Sequence, residues 1–453
     1  MGRLFGTDGI RGMANEYPII PEMAVNIGRA VSCFFSRNQD IPEIIIGKDT
    51  RISGYMLEYA LASGICSAGV NVCLAGIIPT PGLAFMTSST DAAAGIVISA
   101  SHNPYCDNGI KIFKGNGFKL SDKEEAEIEQ LILNNKTVAI SKNIHETGSV
   151  YNIDDSVQRY SSFLKSTIKQ SDCCEGLKIV IDCSNGATYR IAPELFSDIG
   201  ADVIPFFVQP DGKNINKDCG SQHPENIAKY VVEKKADIGF AFDGDGDRLI
   251  AVDEKGNVLT GDQTLAVCAG SLKQRGMLKN NIVVSTVMSN IGLGIALKNM
   301  GLEHVVSNIG DRYVMEKMIS CSASIGGEES GHTIFLDYQT TGDGILTALM
   351  LIESMKWASK PLSELGKIMT VFPQVLINVE VTGKPDIKSI PKIKNAIRSV
   401  EASLGEKGRV LVRYSGTQPL CRIMVEGVDM EETGNYCRQL ADIVHEEIGS
   451  ELK

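Results

Sequence analysis

Short apolar runs alternate with helical stretches from the start of the chain to about residue 366. Such runs suit strands that are buried on both faces, which is typical of parallel sheets flanked by helices. The predicted strands are Glu43–Gly47, Val70–Ala75, Ala94–Ile98, Leu177–Asp182, Val203–Val208, Ile238–Phe242 and Ile282–Ser285. The predicted helices are Ser53–Ala62, Tyr189–Ile199, Ile291–Met300 and one that follows a capping box of Ser121 and Glu124. The pattern predicts an α/β fold class, with three similar α/β domains that contain mixed, largely parallel sheets.

The pattern changes near the carboxyl terminus, after two prolines at 361 and 373. Strands are predicted at Val375–Val381, Arg409–Tyr414 and Arg422–Glu426, around helices at Pro391–Leu404 and Glu431–Glu447. This order predicts a smaller C-terminal α+β domain. The predicted domains are therefore residues 1–152, 153–254, 255–367 and 368–453.

Composition and charge exclude several classes of protein. The net charge of −11, with no basic block to offset it, argues against a nucleic-acid or anionic-membrane surface. The chain has no run of about 18 apolar residues and no apolar segment typical of a signal peptide, so no membrane partner is expected. Its 12 cysteines lack a metal-ligand spacing and are expected to be reduced and mostly buried. These observations predict a cytoplasmic protein.

Ser101 lies where the predicted strand Ala94–Ile98 ends and Asn103-Pro104 must turn the chain. A hydroxyl at such a strand end is expected to be presented rather than buried. Gly109 and Lys111 follow within reach of the same loop. An ordinary turn serine has the same pattern, so Ser101 becomes a candidate nucleophile only together with other groups.

The strongest local signal is Asp243-Gly244-Asp245-Gly246-Asp247-Arg248, directly after the apolar run Ile238–Phe242. Three carboxylates at alternate positions, separated by glycines, can converge on one divalent cation. The EF-hand loop is the obvious rival, but Arg248 stands where its glycine belongs and an apolar strand follows at once. A magnesium site is favoured over both the EF-hand and a solvated acidic turn.

Two further segments carry binding chemistry. The glycine-rich loop Gly326–His332 offers Glu328, Ser330 and His332, which can hydrogen-bond sugar hydroxyls, although a plain surface loop has the same composition. The last domain carries two guanidiniums, two hydroxyls and a glycine that together suit a phosphate: Arg413, Ser415, Gly416, Thr417 and Arg422. A turn between two strands with surface arginines remains the alternative for this segment.

The combination is more informative than any one segment. A hydroxyl nucleophile, a metal site, a polyol-binding loop and a phosphate-binding segment occur in four successive blocks, and a cleft between them would hold all four. This set fits phosphoryl transfer through a phosphoserine to a phosphorylated sugar.

These residues resemble the α-D-phosphohexomutase superfamily over essentially the whole chain, and most of all its bacterial branch that acts on glucosamine phosphates. The matching segments are 5–12, 46–54, 99–104, 243–248, 310–313, 327–332, 341–344 and 413–422. The resemblance implies three α/β domains and a smaller TATA-binding-protein-like domain around a deep cleft. It also implies interconversion of glucosamine 6-phosphate and glucosamine 1-phosphate through glucosamine 1,6-bisphosphate, feeding UDP-N-acetylglucosamine and cell-wall (peptidoglycan) synthesis.

The resemblance assigns roles residue by residue. Ser101 would be phosphorylated and, with Asp243, Asp245 and Asp247, would hold one Mg2+ per active site. Arg11, His102, Lys111 and Arg248 would surround the reacting phosphoryl group. The sugar and its distal phosphate would be bound by Glu328, Ser330, His332, Arg413, Ser415, Gly416, Thr417 and Arg422.

Some assignments depart from the family pattern or stay open. Gln418 replaces the family's glutamate and keeps its size and hydrogen bonding, so little effect is expected. Lys111 and His102 are candidates for proton handling, with Lys111 preferred because an amine near cations has a lowered pKa. Family members suggest a homodimer, whereas no feature of the sequence itself points to one. A phosphoglucomutase or phosphomannomutase on the same scaffold and a non-catalytic sugar-phosphate sensor are the alternatives.

Overall fold

The computed structural model describes residues 4–6, 8–36, 43–134, 146–168, 173–415 and 419–450. The chain divides into two compact units. The first comprises Met1–Met288 and Leu302–Ile368, and the second comprises Ser289–Gly301 and Met369–Lys453. Three mixed sheets lie in the first unit and one antiparallel sheet lies in the second.

The first sheet has six strands in the order β1-β5-β4-β2-β3-β6. Its strands are β1 (Ile10–Met13), β2 (Glu43–Lys48), β3 (Asn71–Ile77), β4 (Ala94–Ile98), β5 (Asp107–Lys114) and β6 (Val150–Asn152). Strands β4, β2, β3 and β6 are parallel, and β5 and β1 add antiparallel strands at one edge. The helices of this region are α1 (Pro21–Phe35), α2 (Ser53–Ser67), α3 (Thr80–Ser88) and α4 (Asp122–Leu133).

The second sheet repeats this plan, with a parallel set and an antiparallel edge. Its strands are β7 (Lys178–Asp182), β8 (Asp202–Phe206), β9 (Ile238–Phe242), β10 (Leu249–Asp253) and β11 (Val258–Leu259), in the order β11-β10-β9-β7-β8. Only β9–β10 and β10–β11 pair in antiparallel fashion. The accompanying helices are α5 (Ser156–Ser166), α6 (Ile191–Asp198) and α7 (Pro224–Lys234).

The third sheet has four strands in the order β13-β12-β14-β15, of which only the β14–β15 pair is antiparallel. Its strands are β12 (Ile282–Thr286), β13 (Glu303–Ser307), β14 (Ile325–Gly327) and β15 (Thr333–Phe335). The helices along this stretch are α8 (Gly261–Gln274), α9 (Ile291–Asn299), α10 (Asp311–Cys321), α11 (Gly344–Ala358) and α12 (Leu362–Leu365). Of these, α9 belongs to the second unit.

The second unit contains an antiparallel sheet with β18 in its centre. Its strands and later helices are β16 (Gln374–Glu380), α13 (Pro391–Leu404), β17 (Arg409–Tyr414), β18 (Leu420–Glu426) and α14 (Met430–Ile448). Apolar residues of β18 and α14, such as Ile423, Val425 and Leu440, form the core of this unit.

The predicted fold class is confirmed, including the change from mixed α/β sheets to a small α+β region. The Ser121–Glu124 capping box also starts α4 as predicted, because the Ser121 hydroxyl accepts the Glu124 amide hydrogen and the Glu124 carboxylate accepts that of Ser121. The four domain boundaries stay a prediction.

The main difference concerns Lys111. The sequence placed it near a loop, whereas it lies on strand β5, opposite Val97 of β4. Residues 110–113 are buried on both faces of this strand, so the lysine has no alternating polar pattern to reveal it.

Candidate active site

Ser101 lies in the turn that follows β4, and only 1% of its surface is exposed. The expectation of a presented hydroxyl is therefore wrong, because Asp243 packs against it: Ser101 Oγ donates to Asp243 Oδ2 at 2.5 Å. The Ser101 backbone has φ of 52°, in the left-handed region that residues with a side chain rarely adopt. Such conformations persist where the surrounding structure enforces them, and they concentrate at active sites.

The three predicted metal ligands come together in the turn between β9 and β10. One oxygen from each of Asp243, Asp245 and Asp247 lies within 4.8 Å of the others, and all three side chains are buried. The solvated acidic turn is thereby excluded. Burial and then the neighbouring carboxylates raise the pKa of Asp243 well above its ordinary value.

This cluster fits a hard divalent cation. Among the described residues, Asp245 Oδ1 and Asp247 Oδ1 are buried without a hydrogen-bond partner, as expected of oxygens that a cation would take. Glycine is required between Asp243 and Asp245, because a Cβ on Gly244 would lie 2.6 Å from the carbonyl oxygen of Ser101. The metal loop and the serine turn therefore meet backbone to backbone.

Lys111 is buried in the same cluster. Its Nζ lies 2.8 Å from Asp245, 3.1 Å from Asp8 and 3.8 Å from Asp247. The expectation of a lowered pKa for Lys111 is wrong: burial and the nearby Arg11 charge would lower it, but these carboxylates together raise it above the ordinary value. A protonated ammonium can neutralise phosphoryl charge but cannot accept a proton, so the preference for Lys111 over His102 loses its basis.

His102 lies next to Ser101, and Arg248 lies next to His102. The Nδ1 atom of His102 is 3.5 Å from Ser101 Oγ and 3.1 Å from the Arg248 guanidinium. Burial and then the Arg248 charge lower the His102 pKa to about 4, so the ring is neutral near pH 7. Arg11, on β1, forms an ion pair with Asp8, one of the carboxylates around Lys111.

The sugar-binding candidates follow β14. Glu328 is half-buried, and its Oε1 accepts the Gly310 amide hydrogen at 3.1 Å. The Ser330 hydroxyl is buried without a hydrogen-bond partner among the described residues, so it is available to a ligand. His332 is buried behind the metal loop: its Nδ1 lies 3.5 Å from Asp247, and its Nε2 accepts the Gly342 amide hydrogen at 3.0 Å. A role of His332 in substrate binding stays a prediction.

A series of alternating charges extends from Lys111, and none of the candidate residues chosen from the sequence indicated it. Asp8 lies 2.5 Å from Lys119 Nζ, Lys119 pairs with Asp311, and Asp311 lies 3.8 Å from His332. Asp8 and Asp311 are part of the matching segments 5–12 and 310–313, and that was the available signal. Their alternating charges connect the loops of the first and third sheets.

The predicted phosphate-binding residues lie in the second unit. Arg413 of β17 is directly opposite Arg422 of β18, so two guanidiniums share one end of the sheet. Partial burial and then the Arg422 charge lower the Arg413 pKa, and a bound anion would offset this repulsion between the two guanidiniums. The Ser415 carbonyl accepts from Lys384 at 2.6 Å, which adds a third cation. Gly416, Thr417 and Gln418 lie outside the described residues.

A serine against an aspartate cluster, on three similar α/β sheets with a small fourth region, is the arrangement expected of a phosphohexomutase. Family models for the phosphoglucomutase/phosphomannomutase domains match in order: α/β/α domain I at 2–139, domain II at 158–256, domain III at 260–372 and the C-terminal domain at 376–443. The chain belongs to this family, which confirms the resemblance found in the sequence.

Curated relatives that match over the full length are named phosphoglucosamine mutase. The phosphoglucosamine mutase of Syntrophus aciditrophicus is 60% identical to this chain, over 99% of the chain and 100% of the relative. That of Syntrophobacter fumaroxidans is 57% identical over the same shares.

Solved structures share the fold. A phosphoglucomutase/phosphomannomutase family protein of Burkholderia thailandensis has a TM-score of 0.82 at 24% identity and covers 99% of both chains. The Aspergillus fumigatus N-acetylphosphoglucosamine mutase, solved with GlcNAc-6P and magnesium, has a TM-score of 0.66 at 16% identity over 98% of this chain and 95% of that one. None of the described helices combines the length and apolar character needed to span a bilayer.

Proposed function

We propose that this chain interconverts glucosamine 6-phosphate and glucosamine 1-phosphate, with Ser101 as the phosphoryl carrier. The observation that carries the proposal is the 2.5 Å contact between Ser101 Oγ and Asp243. The contact supports the proposal because the oxygen that would carry the phosphoryl group lies against the cluster that suits a cation. The choice of glucosamine phosphates is supported by relatives named phosphoglucosamine mutase at 57% and 60% identity over the full length.

The reaction consists of two phosphoryl transfers. In the first, the bond between phosphorus and Ser101 Oγ breaks while O1 of glucosamine 6-phosphate forms a bond to phosphorus; O1 loses its proton and Ser101 Oγ gains one. The product, glucosamine 1,6-bisphosphate, then reverses its orientation. In the second, Ser101 Oγ loses its proton and forms a bond to the phosphorus of the 6-phosphoryl group, the O6–phosphorus bond breaks and O6 takes up a proton. The released sugar is glucosamine 1-phosphate, and the enzyme is again phosphorylated.

Cationic side chains would stabilise the transferring group. Lys111 and Arg248 approach the aspartate cluster from the first and second sheets, and Arg11 lies next to them through Asp8. Fixed cations in a buried site stabilise charge that develops in the transition state without reorganisation of water. His102 remains a candidate for accepting the proton of the attacking hydroxyl.

Asp243, Asp245 and Asp247, together with the Ser101 phosphate, would hold one Mg2+. When bound, this cation would neutralise charge on the transferring phosphoryl group. Glu328 and Ser330 would bind sugar hydroxyls. Arg413, Ser415, Gly416, Thr417 and Arg422 would bind the phosphate that is not being transferred, at either end of the sugar.

The wider setting is also part of the proposal. The product, glucosamine 1-phosphate, would be a precursor of UDP-N-acetylglucosamine, which cell-wall synthesis requires. The protein would act in the cytoplasm. A homodimer is suggested by the family resemblance alone.

The decisive experiment compares kcat/KM for glucosamine, glucose and mannose phosphates. We expect glucosamine phosphate to be preferred. A preference for glucose or mannose phosphate would instead assign a phosphoglucomutase or phosphomannomutase, and a lack of turnover with every sugar phosphate would assign a sensor.

Ser101→Ala tests the carrier. We expect loss of turnover with substrate binding retained, and loss of the phosphate from the intact mass of the protein. Ser354→Ala is the matched control, since the Ser354 hydroxyl is also buried but bonds only to the Met350 carbonyl within α11. Near-normal turnover of Ser101→Ala would refute the phosphoserine route.

A further inference from the structure

The four residues Asp49–Ile52, between β2 and α2, contact both the serine turn and the block that carries the metal loop. Three of them are buried, among them Arg51 at 1% exposure. Their role is not explained by the reaction above, because in the described part of the chain none of them hydrogen-bonds to the side chain of Ser101 or of the three aspartates.

Arg51 binds the serine turn through its carbonyl groups. One terminal guanidinium nitrogen donates to Ser101 O at 2.9 Å and to Asn103 O at 2.8 Å. The other donates to Pro104 O and, at 3.1 Å, to Asp107 O. One planar cation thus bonds to four carbonyls of a single seven-residue segment (101–107), a geometry that the single nitrogen of a lysine cannot reproduce.

Asp49 fixes the guanidinium and the start of the same turn. Its Oδ2 accepts from Arg51 Nε at 2.9 Å and from the Ser99 hydroxyl at 2.6 Å. The Ser99 oxygen in turn accepts the Ser101 amide hydrogen at 2.9 Å. Ser101 is therefore bound at its amide through Asp49 and at its carbonyl through Arg51, which explains how its left-handed conformation is maintained.

The other two residues contact the second block. The Thr50 hydroxyl donates to Asn185 O at 2.5 Å, and the Ile52 amide donates to Gly212 O at 2.9 Å. From the same block, Asn216 Nδ2 donates to Ser101 O at 2.8 Å, so this carbonyl is held from both sides. Asn185 is followed in sequence by Gly186 and then Ala187. The Ala187 amide donates to Gly244 O of the metal loop at 2.8 Å.

We propose that Asp49–Ile52 is a positioning element that sets Ser101 against the metal loop, with Arg51 as its central residue. It binds the serine turn of the first block through Asp49 and Arg51. Through Thr50 it binds Asn185, two residues before the Ala187 amide that supports the metal loop of the second block. The distance between the phosphoryl carrier and its cation site is then fixed by contacts with these four residues. This inference rests on the proposed phosphoryl transfer.

The first test replaces Arg51 by lysine. The charge stays, but most of the hydrogen bonds to the carbonyls are lost, so the serine turn is expected to shift. A shift of about 1 Å at the Ser101 hydroxyl would lower kcat roughly 10²-fold. The KM for glucosamine 6-phosphate should not change, because in the described part of the chain Arg51 hydrogen-bonds to neither Glu328 nor Ser330. Arg275→Lys is the matched control, since Arg275 is also buried and pairs with Glu353 at 2.7 Å. It should leave kcat unchanged.

A second pair of variants, in which valine replaces a threonine of nearly the same shape, keeps the proposal testable if Arg51→Lys does not fold. Thr50→Val removes only the bond to Asn185, and we expect kcat to fall roughly tenfold for the one lost hydrogen bond. Thr87→Val is its control, because the Thr87 hydroxyl is fully buried and bonds to the Leu83 carbonyl within α3.

The outcomes separate this inference from the proposed function. A folded Arg51→Lys with wild-type kcat, or a Thr50→Val that matches Thr87→Val, overturns the positioning role while wild-type turnover still supports the mutase. Equal losses of kcat and binding in the Arg51 and Arg275 variants would indicate stability alone and also overturn it. If the wild-type chain itself turns over no sugar phosphate, the proposed function fails instead.

Discussion

Replacing Gly342 by alanine tests whether packing behind the metal loop controls the reaction. A Cβ at this position would lie 2.5 Å from Cε1 and Nε2 and 2.6 Å from Nδ1 of the His332 ring. Ordinary contacts between such atoms are about 3.5–4.0 Å, so the ring or the backbone must shift by about 1 Å. The Gly342 backbone itself is not in the left-handed region, hence the effect comes from space alone.

The shift has two consequences. Overpacking of this kind costs about 1–3 kcal/mol of stability. It also moves a ring that lies 3.5 Å from Asp247, a proposed metal ligand, and about 1 Å of displacement lowers the rate roughly 10²-fold. The assay measures kcat with glucosamine 6-phosphate together with the thermal unfolding midpoint.

Gly383→Ala is the control, because its Cβ would meet only Pro385 Cδ at 3.9 Å, an ordinary contact. If Gly342→Ala matches this control in both kcat and unfolding midpoint, the packing argument is wrong. A double-mutant cycle isolates the clash: with His332→Ala already present, Gly342→Ala should cost no further stability.

Three other substitutions probe separate parts of the site. Arg413→Ala should raise the KM for glucosamine 6-phosphate roughly 10- to 100-fold with kcat largely retained, because it removes charge-assisted hydrogen bonds to the distal phosphate. Asp245→Asn should raise the Mg2+ concentration for half-maximal activity at least roughly tenfold, and calorimetric titration with Mg2+ should show the same loss. Lys119→Met should lower the thermal midpoint, since it leaves Asp8 and Asp311 facing each other without their shared cation, at a cost of about 3–5 kcal/mol.

Exposed residues of the same types are the controls for these variants: Arg398, Asp198 and Lys392. An unchanged KM in Arg413→Ala would contradict the phosphate-binding role. Wild-type Mg2+ dependence in Asp245→Asn would exclude this carboxylate as a ligand. If Lys119→Met unfolds at the same temperature as Lys392→Met, the buried charge series does not stabilise the protein.

Much of the fold follows from local pattern. The predicted strand Ala94–Ile98 matches β4 residue for residue, and the prediction for 238–242 matches β9. A run of apolar residues between turn signals has few alternatives, so its ends are well defined. Strand β5 shows the limit: its lysines and asparagine resemble a polar loop, and only its pairing with β4 and β1 makes it a strand.

The chemistry of single residues was harder to predict than their membership of the site. Lys111 was expected to have a lowered pKa, yet the carboxylates beside it outweigh the nearby cations and raise its pKa. Ser101 was expected to be presented, yet it is buried. In both cases the deciding neighbours come from another sheet, and the sequence carries no information on which charges will face each other across such a boundary.

The sequence by itself determined the order of the α/β blocks, the aspartate loop and the type of reaction, because hydrophobic periodicity and motif spacing are local properties of the chain. Tertiary structure decided that Ser101 touches Asp243, which is 142 residues away, and that Arg51 donates to carbonyls of the turn that contains Ser101. It also decided that Asp8, Lys119 and Asp311 alternate in charge behind the site. These contacts depend on how separate sheets pack, and burial then sets the ionisation and hydrogen bonding of each group.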